Sequence, residues 1–438
     1  MDRRSLAGAP LSSVALVLLL ACSGGSRNTD TFESGAGVEQ PATSGFVGSS
    51  SDNTGSGNAS STGNGNASST GGGVSAGNEG ARTEAMGERV PTLVADMAGA
   101  AAAAAPDTAS GSAGGDTASA PALGVLLWEQ KRSQLLAIIE RPKVAPDGTE
   151  TALPDDDGLS VHDFSIATDE QTRINGTSFA PKLDGPLPAV IFLHGTGGAR
   201  QDGFGLLRTL AKKGFFALAI DARYHGAGMG QDPYFNAIYA AYVTGQGHPF
   251  LYDTVWDVMR VLDYLEQRPD VDAQRIGLVG NSKGGMETYL ATAVEPRIAV
   301  AVPWIALESF AWALDNNQWQ ARVGSIQGAF DQAAAHDGVP IDVGFVRQFY
   351  DRLVPGIYTD FDGPQVLPAI APRPLLAVNG DSDPRTPRVG LAQCEAAATS
   401  AYAGNADHFE LYIEPNTGHA VTAEATTHTV DWLVRWLM

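Results

Sequence analysis

Cysteine is almost absent from this chain, which contains only Cys22 and Cys394 among its 438 residues. A framework of several disulfides is therefore excluded, and the helical pattern around Cys394 predicts a buried structural thiol. Basic residues are also scarce: 28 lysines and arginines stand against 49 aspartates and glutamates, and the formal net charge is −21. Because nucleic-acid phosphates require a basic surface, this balance argues against nucleic acid as a partner.

Histidine is uncommon as well, with eight in the chain. His225, His248 and His336 do not have the spacing of a metal-ligand set, and we expect them to be structural. The sequence also lacks a glycine-rich loop of the phosphate-binding type. It therefore predicts no metal ion and no other cofactor.

The apolar run near the start of the chain, residues 11–20, is too short to span a membrane. It follows Arg3 and Arg4 and ends in Leu19-Leu20-Ala21-Cys22, which is the pattern of a bacterial lipoprotein signal. We expect residues 1–21 to be removed as a signal peptide and Cys22 to carry the membrane lipid anchor. Ser23 is not aspartate, so the resemblance to bacterial lipoproteins implies an outer-membrane lipoprotein of the cell envelope, facing the periplasm or the cell surface. The alternative is an ordinary cleaved signal peptide, with Cys22 present by chance and not lipidated.

Residues 22–120 are rich in Gly, Ser, Ala, Asn and Thr and have few large apolar side chains. The heptapeptide Gly-Asn-Ala-Ser-Ser-Thr-Gly occurs twice, starting at Gly57 and at Gly65. Such a composition cannot offset the entropy lost when a chain becomes ordered. It predicts a disordered tether that precedes a single folded domain, residues 121–438.

Within that domain, apolar strand patterns alternate with amphipathic helical patterns. We predict strands near residues 189–193, 215–220, 275–279, 298–303, 375–378 and 410–413, with 161–168 as an edge strand. We predict helices near residues 126–139, 203–212, 252–267, 284–294, 389–402 and 422–437. This alternation predicts an α/β fold with a mainly parallel central sheet and helices on both faces.

Gly280-Asn281-Ser282-Lys283-Gly284 stands between a predicted strand and a predicted helix. G-x-S-x-G in that context is typical of a nucleophile elbow, in which the glycines allow a sharp turn that exposes the serine hydroxyl. The sequence thus predicts Ser282 as a nucleophile. The alternative is a glycine-rich turn with a solvated serine.

A serine nucleophile needs a base, and the base needs an orienting acid. Two further strand ends downstream carry suitable residues: Asp381 and Asp383 follow one predicted strand, and His419 follows the last. The order serine, acid, histidine is the one found in enzymes with a nucleophile elbow. Upstream, His194-Gly195-Thr196-Gly197-Gly198 follows another buried strand. The backbone N–H groups of Thr196 and Lys283 are predicted to form the oxyanion hole.

These pieces resemble the α/β-hydrolases of the dienelactone-hydrolase and acetyl-xylan-esterase type. The resemblance covers residues from about 120 to the end of the chain. It is carried by motifs that begin at His194, Asp221 and Gly280, and by Asp383 and His419. The superfamily pattern G-x-x-D-x-x-x-P, here Gly380 to Pro387, favours Asp383 over Asp381 as the acid. Dienelactone hydrolases use cysteine as the nucleophile, so the serine favours a carboxylesterase.

The resemblance implies a serine carboxylic-ester hydrolase with the triad Ser282, Asp383 and His419. Its substrate is expected to be a small-molecule or polysaccharide-linked ester. Two alternatives remain: a serine peptidase resembling the catalytic domain of the prolyl-oligopeptidase group, and a surface binding protein that keeps the fold without activity.

Residues 304–369 interrupt the alternation of strands and helices and are rich in aromatic residues. The stretch is too long for an ordinary connection, so we predict a helical insertion over the active site. Trp304, Trp312 and Trp319 are its candidate substrate-binding residues, and packing against the core is the alternative role for these aromatics.

Overall fold

The computed structural model describes residues 120–438, with side chains from Leu127 onward. The predicted signal peptide, Cys22 and the predicted tether as far as residue 119 lie outside the described residues. No helix in the described part of the chain is long and apolar enough to cross a membrane.

The described residues contain a nine-stranded sheet. Its strands are β1 (Thr149–Asp156), β2 (Leu159–Ala167), β3 (Arg173–Ala180), β4 (Leu187–Leu193), β5 (Phe216–Ile220), β6 (Val271–Asn281), β7 (Ile298–Trp304), β8 (Leu375–Gly380) and β9 (Phe409–Glu414). Their order across the sheet is β1-β2-β3-β5-β4-β6-β7-β8-β9. The pairs β1–β2, β2–β3 and β3–β5 are antiparallel, and the other five pairs are parallel. The prediction of a mainly parallel sheet is confirmed.

Helices cover both faces of this sheet. They are α1 (Ala120–Ile139), α2 (Phe204–Lys212), α3 (Asp232–Thr244), α4 (Tyr252–Leu265), α5 (Lys283–Val294), α6 (Phe310–Asp315), α7 (Gln320–Gly324), α8 (Gln327–Asp337), α9 (Val343–Leu353), α10 (Gly363–Val366), α11 (Arg388–Ala401) and α12 (Ala423–Leu437). Alternate residues of β4 point to opposite sides. Ile191 belongs to the larger core with α4 and α5, whereas Val190 belongs to the smaller core with α2 and α12.

The antiparallel end of the sheet differs from the sequence prediction. Residues 161–168 were expected at the edge, but β1 pairs outside β2 and is the terminal strand. Seven of the eight residues of β1 are exposed, so it has no apolar alternation that sequence analysis could recognise. β3 and α3 were also missed.

The predicted helical insertion is present as α6 to α10, between β7 and β8. Several of its aromatic side chains pack into the larger core: Phe330 stacks on Phe349 with ring centroids 3.8 Å apart, and Tyr242 of α3 stacks on Phe349 at 5.4 Å. Packing is therefore the role of these aromatics, and the insertion is anchored to α3 by them.

Candidate active site

Ser282 lies at the sharp turn between β6 and α5. Its backbone has φ 56° and ψ −110°, a conformation that few non-glycine residues adopt. The turn is tightly enclosed, since a Cβ added to Gly280 would lie 2.1 Å from the Gly284 carbonyl oxygen. A Cβ on Gly284 would lie 2.3 Å from the Leu193 carbonyl oxygen. Glycine is therefore required on both sides of the serine, as the nucleophile-elbow prediction assumes.

The structure brings the three predicted triad residues together. His419 Nε2 lies 2.8 Å from Ser282 Oγ, and His419 Nδ1 lies 2.6 Å from Asp383 Oδ2. With Nδ1 donating to the carboxylate, Nε2 is left as the acceptor for the serine proton. The arrangement is that of a nucleophile, a base and an orienting acid.

Of the two candidate acids, Asp383 is the one that contacts the histidine. Its second oxygen, Oδ1, accepts the backbone N–H of Arg385 at 2.9 Å, which fixes the carboxylate. Asp381 instead accepts the Thr417 N–H at 3.2 Å and the Ser382 hydroxyl at 2.7 Å. Asp381 therefore holds the two loops against each other.

The surroundings of His419 keep its imidazole neutral. Burial lowers the pKa of His419 below 6.5, the positive charges of Arg322 and Arg385 lower it further, and the Asp383 carboxylate opposes both. Burial acts to raise the pKa of Asp383, but the hydrogen bond from His419 and the Arg385 N–H hold it below its ordinary value. The pair is thus poised as carboxylate and neutral imidazole at neutral pH.

The two predicted oxyanion donors lie beside Ser282. Lys283 is the first residue of α5, and Thr196 lines the same cavity as the serine. Among the described residues, neither of their backbone N–H groups donates a hydrogen bond. The Lys283 side chain is not part of the predicted oxyanion hole, because its buried Nζ pairs with Glu287 Oε1 at 2.8 Å.

His194 organises the loop that carries Thr196. Its Nε2 accepts the Ala222 N–H at 3.0 Å and its Nδ1 donates to the Gly195 carbonyl at 2.7 Å, which defines the neutral tautomer. Burial, together with the charge of Lys283, lowers the pKa of His194 well below 6.5. These contacts make His194 a scaffold residue of the loop, and the histidine within hydrogen-bond reach of Ser282 is His419.

A cavity of about 450 Å³ opens beside Ser282 and His419. Its lining residues come from the ends of parallel strands, from the loops after them and from the helical insertion: Phe192, Gly195, Thr196, Asp202, Gln231, Asn281, Ser282, Trp304, Ile305, Gly324, Ser325, Arg385, His419, Ala420, Val421 and Thr426. This position at the carboxyl edge of the parallel strands is where open α/β sheets bind ligands. The cavity is the candidate substrate site.

The three predicted substrate-binding tryptophans separate into two groups. Trp304 lines the cavity, with its Nε1 donating to Thr429 Oγ1 at 2.9 Å. Trp312 and Trp319 do not line it, and their assignment is corrected. Trp312 packs against Gly390 of α11, and Trp319 is 9% exposed and belongs to the apolar core. Trp312 thus packs where α6 meets α11, and Trp319 is buried in the apolar core.

A buried ion pair joins the insertion to the loop of the triad acid. Arg322 Nε of α7 donates to Glu308 Oε2 at 2.6 Å, and both side chains are 2% exposed. Arg322 Nη2 also donates to the Arg385 carbonyl at 2.9 Å. Since the Arg385 N–H binds Asp383, one continuous series of contacts runs from Glu308 to the triad acid.

Sequence analysis missed several polar residues of the cavity, including Gln231, Ser325 and Arg385. Gln231 precedes α3, and Ser325 follows α7, two helices with no separate sequence prediction. Arg385 is two residues after Asp383. Its position in the loop of the predicted acid was the one sequence signal that could have identified it as a residue of the site.

The sheet, the strand–serine–helix turn and the place of the histidine are those of an α/β-hydrolase, and the chain is a carboxylesterase-like hydrolase. The profile of the family described as "Glucuronyl esterase, fungi" matches residues 166–404, more than half of the chain, and the chain belongs to that family.

Proteins that are similar in sequence or in structure are also described as hydrolases or esterases. "Putative hydrolase YtaP" of Bacillus subtilis is 28% identical over 316 residues, covering 65% of this chain and 95% of that protein. "4-O-methyl-glucuronoyl methylesterase 1" of Phanerochaete chrysosporium is 24% identical over 319 residues, 69% of this chain and 63% of that protein. Among solved structures, acetyl xylan esterase 1 from Thermoanaerobacterium has a TM-score of 0.54 and 18% identity, covering 71% of this chain and 94% of that one. This last likeness bears on the fold alone.

Proposed function

We propose that this protein is a serine carboxylic-ester hydrolase that works through an acyl-enzyme intermediate. Ser282 Oγ attacks the ester carbonyl while His419 Nε2 takes its proton. The Thr196 and Lys283 N–H groups hold the oxyanion. The protonated His419 then gives its proton to the leaving alcohol, and Asp383 stabilises the imidazolium. Water, deprotonated by His419, cleaves the acyl-enzyme and restores Ser282.

The observation that carries this proposal is the hydrogen-bonded series Ser282–His419–Asp383, which opens into the cavity. The substrate we propose is an ester linked to a polysaccharide. Its support is membership of the glucuronyl esterase family and similarity to a glucuronoyl methylesterase. A small-molecule ester is the simpler substrate of the same chemistry.

Three substitutions test the triad. We expect Ser282→Ala to remain folded and to lose kcat by several orders of magnitude, because triad members act as a unit. Asp383→Asn is expected to lower kcat by about 10⁴, whereas Asp381→Asn, its matched control, keeps most of the activity. Full activity of Ser282→Ala, or the reverse ranking of the two aspartates, overturns the assignment.

A substrate panel tests the reaction. It contains chromogenic esters of increasing acyl length, acetylated xylan, a methyl ester of a uronic acid and an aminopeptidase substrate. We expect ester hydrolysis that depends on Ser282. Cleavage of the aminopeptidase substrate alone identifies a peptidase, and no turnover together with ligand binding identifies a binding protein.

We further propose that Cys22 is lipidated and anchors the enzyme to the outer membrane of a bacterial cell envelope. The support is the sequence Leu19-Leu20-Ala21-Cys22 after an apolar run. Cys22→Ser is expected to release the protein or to leave its precursor unprocessed. If this variant is processed and fractionates like the natural protein, the signal is an ordinary cleaved one.

A further inference from the structure

Arg385 is a cationic side chain on the wall of the candidate substrate site. It lies on the loop after β8 and lines the cavity together with Ser282 and His419. Its backbone is fixed on both sides, because the N–H donates to Asp383 and the carbonyl accepts from Arg322. The backbone of Arg385 is thus held in place at the cavity that also contains the nucleophile.

The guanidinium of Arg385 has no partner among the described residues. Its Nε is shielded from solvent without a hydrogen bond, and in the described part of the chain no carboxylate oxygen lies within 4.0 Å of the guanidinium. Two other largely buried arginines are paired with carboxylates: Arg223 with Asp257 at 2.6 Å, and Arg322 with Glu308 at 2.6 Å. In a chain with 49 acidic residues, an arginine left unpaired beside the nucleophile is available to a ligand.

Among the lining residues of the cavity, none forms an ion pair with this guanidinium. Asp202 is the carboxylate among its lining residues, and Asp202 Oδ2 accepts the Ala199 N–H at 3.2 Å. Gln231, Asn281 and Ser325 supply neutral polar groups to the lining of the same cavity. Beside the carboxylate of Asp202, the cavity thus offers an anionic group of a bound ligand one unpaired guanidinium and several neutral groups able to donate hydrogen bonds.

We propose that Arg385 binds a free carboxylate of the substrate, so that the enzyme prefers esters that carry a second, unesterified acid group. This inference rests on the proposed esterase function and names the chemical class of its substrate. The planar fork of the guanidinium matches a carboxylate in bidentate geometry, which fixes the orientation of the ester relative to Ser282. Arg385 is thus a specificity residue, separate from the residues that perform the bond cleavage.

A pair of matched esters tests the proposal. The 4-nitrophenyl monoester of glutaric acid carries the carboxylate, and the 4-nitrophenyl ester of glutaramic acid replaces it by a neutral amide of the same shape. For the natural enzyme, kcat/KM is expected to favour the carboxylate by about tenfold or more, as a hydrogen-bonded charge pair allows. In Arg385→Gln this ratio is expected to fall to near one.

Arg388→Gln is the matched control, because Arg388 is an exposed arginine three residues further on that does not line the cavity. It is expected to keep the ratio of the natural enzyme, and Arg385→Lys to give an intermediate ratio. A measurement without any variant accompanies these: glutarate is expected to inhibit the natural enzyme competitively, and more strongly than glutaramide.

A ratio near one in the active natural enzyme overturns the carboxylate proposal. So does an equal loss on both esters in Arg385→Gln, since that places Arg385 in support of the catalytic groups. Failure of the proposed function looks different, because Ser282→Ala then hydrolyses both esters at the natural rate, or no ester is hydrolysed at all.

Discussion

His419 must be neutral to accept the serine proton, so its ionisation determines the pH range of the proposed reaction. Burial and two nearby guanidinium groups lower its pKa below 6.5, and Asp383 opposes them. The base is therefore available at neutral pH and is lost as the pH falls through this lowered pKa.

The kcat/KM for a neutral ester is accordingly expected to be constant near neutral pH and to decline on the acid side with an apparent pKa below 6.5. A kinetic pH profile measures this value, and the far-ultraviolet circular dichroism over the same range shows that the fold is unchanged. An acid limb at or above pH 7 contradicts the described environment of His419.

At the scale of single elements, the turn between β6 and α5 tolerates no side chain at Gly280 or Gly284, two residues on either side of the serine. Gly284→Ala places a Cβ 2.3 Å from the Leu193 carbonyl oxygen, so the backbone must move. We expect a loss of stability of at least about 1–3 kcal/mol and a fall in kcat, because Ser282 is displaced with the turn. Thermal unfolding and ester kinetics measure the two effects.

Gly205→Ala is the matched control for that substitution. Gly205 lies in α2, and a Cβ added there meets nothing within 4 Å. Removing a helical glycine is expected to stabilise the protein by about 0.4–1 kcal/mol, with kcat unchanged. Equal behaviour of the two alanine variants would show that the turn has room that the described contacts exclude.

The ion pair of Glu308 and Arg322 connects the helical insertion to the loop of the triad acid. Arg322→Met leaves the Glu308 carboxyl buried without its partner, which is expected to cost about 3–5 kcal/mol of stability. Glu308→Leu combined with Arg322→Met removes both charges and is expected to recover most of that loss. Unfolding in denaturant measures these differences.

The double variant distinguishes the effect of the ion pair on the position of the acid loop from its effect on the stability of the fold. It still lacks the hydrogen bond from Arg322 to the Arg385 carbonyl, so we expect kcat to stay low while KM changes little. Arg322→Lys, which keeps the charge, is expected to retain part of kcat. If the double variant recovers stability and kcat together, the pair acts only through folding.

The parallel half of the sheet was predictable because its strands are buried on both faces and read as continuous apolar runs, such as Leu375 to Val378. The triad candidates followed from the ends of those strands. β1 was not predictable, since its side chains are exposed. The positions of Trp312 and Arg385 depend on how distant segments meet, which no local pattern of residues records.

At the scale of the molecule, the sheet supplies the reacting groups and the segments around it set the access to them. Ser282 follows β6, the Asp383 loop follows β8 and the His419 loop follows β9, all at one edge of the parallel strands. The insertion adds Gly324 and Ser325 to the cavity wall and holds the acid loop through Arg322. Changes in the insertion should therefore alter substrate choice and kcat together.

The start of the folded domain can be located by removing α1. Its side chains Leu135 and Ile139 are 0% and 1% exposed, and Arg132 Nε donates to the Val294 carbonyl at 2.7 Å. A chain that begins just before Ala120 keeps these contacts, and we expect it to fold and to retain the full kcat/KM on a soluble ester. A chain that begins at Arg141 exposes the surface that both side chains cover.

For the chain that begins at Arg141, the free energy of unfolding is expected to fall by more than about 3 kcal/mol, since each buried aliphatic side chain contributes about 1.5–3 kcal/mol. Thermal unfolding of both chains beside the full-length protein measures the difference. If the chain beginning before Ala120 fails to fold, residues 1–119 contribute to the stability of the domain and the predicted tether is wrong. If the chain beginning at Arg141 is as stable as the longer one, α1 is not part of the hydrolase core.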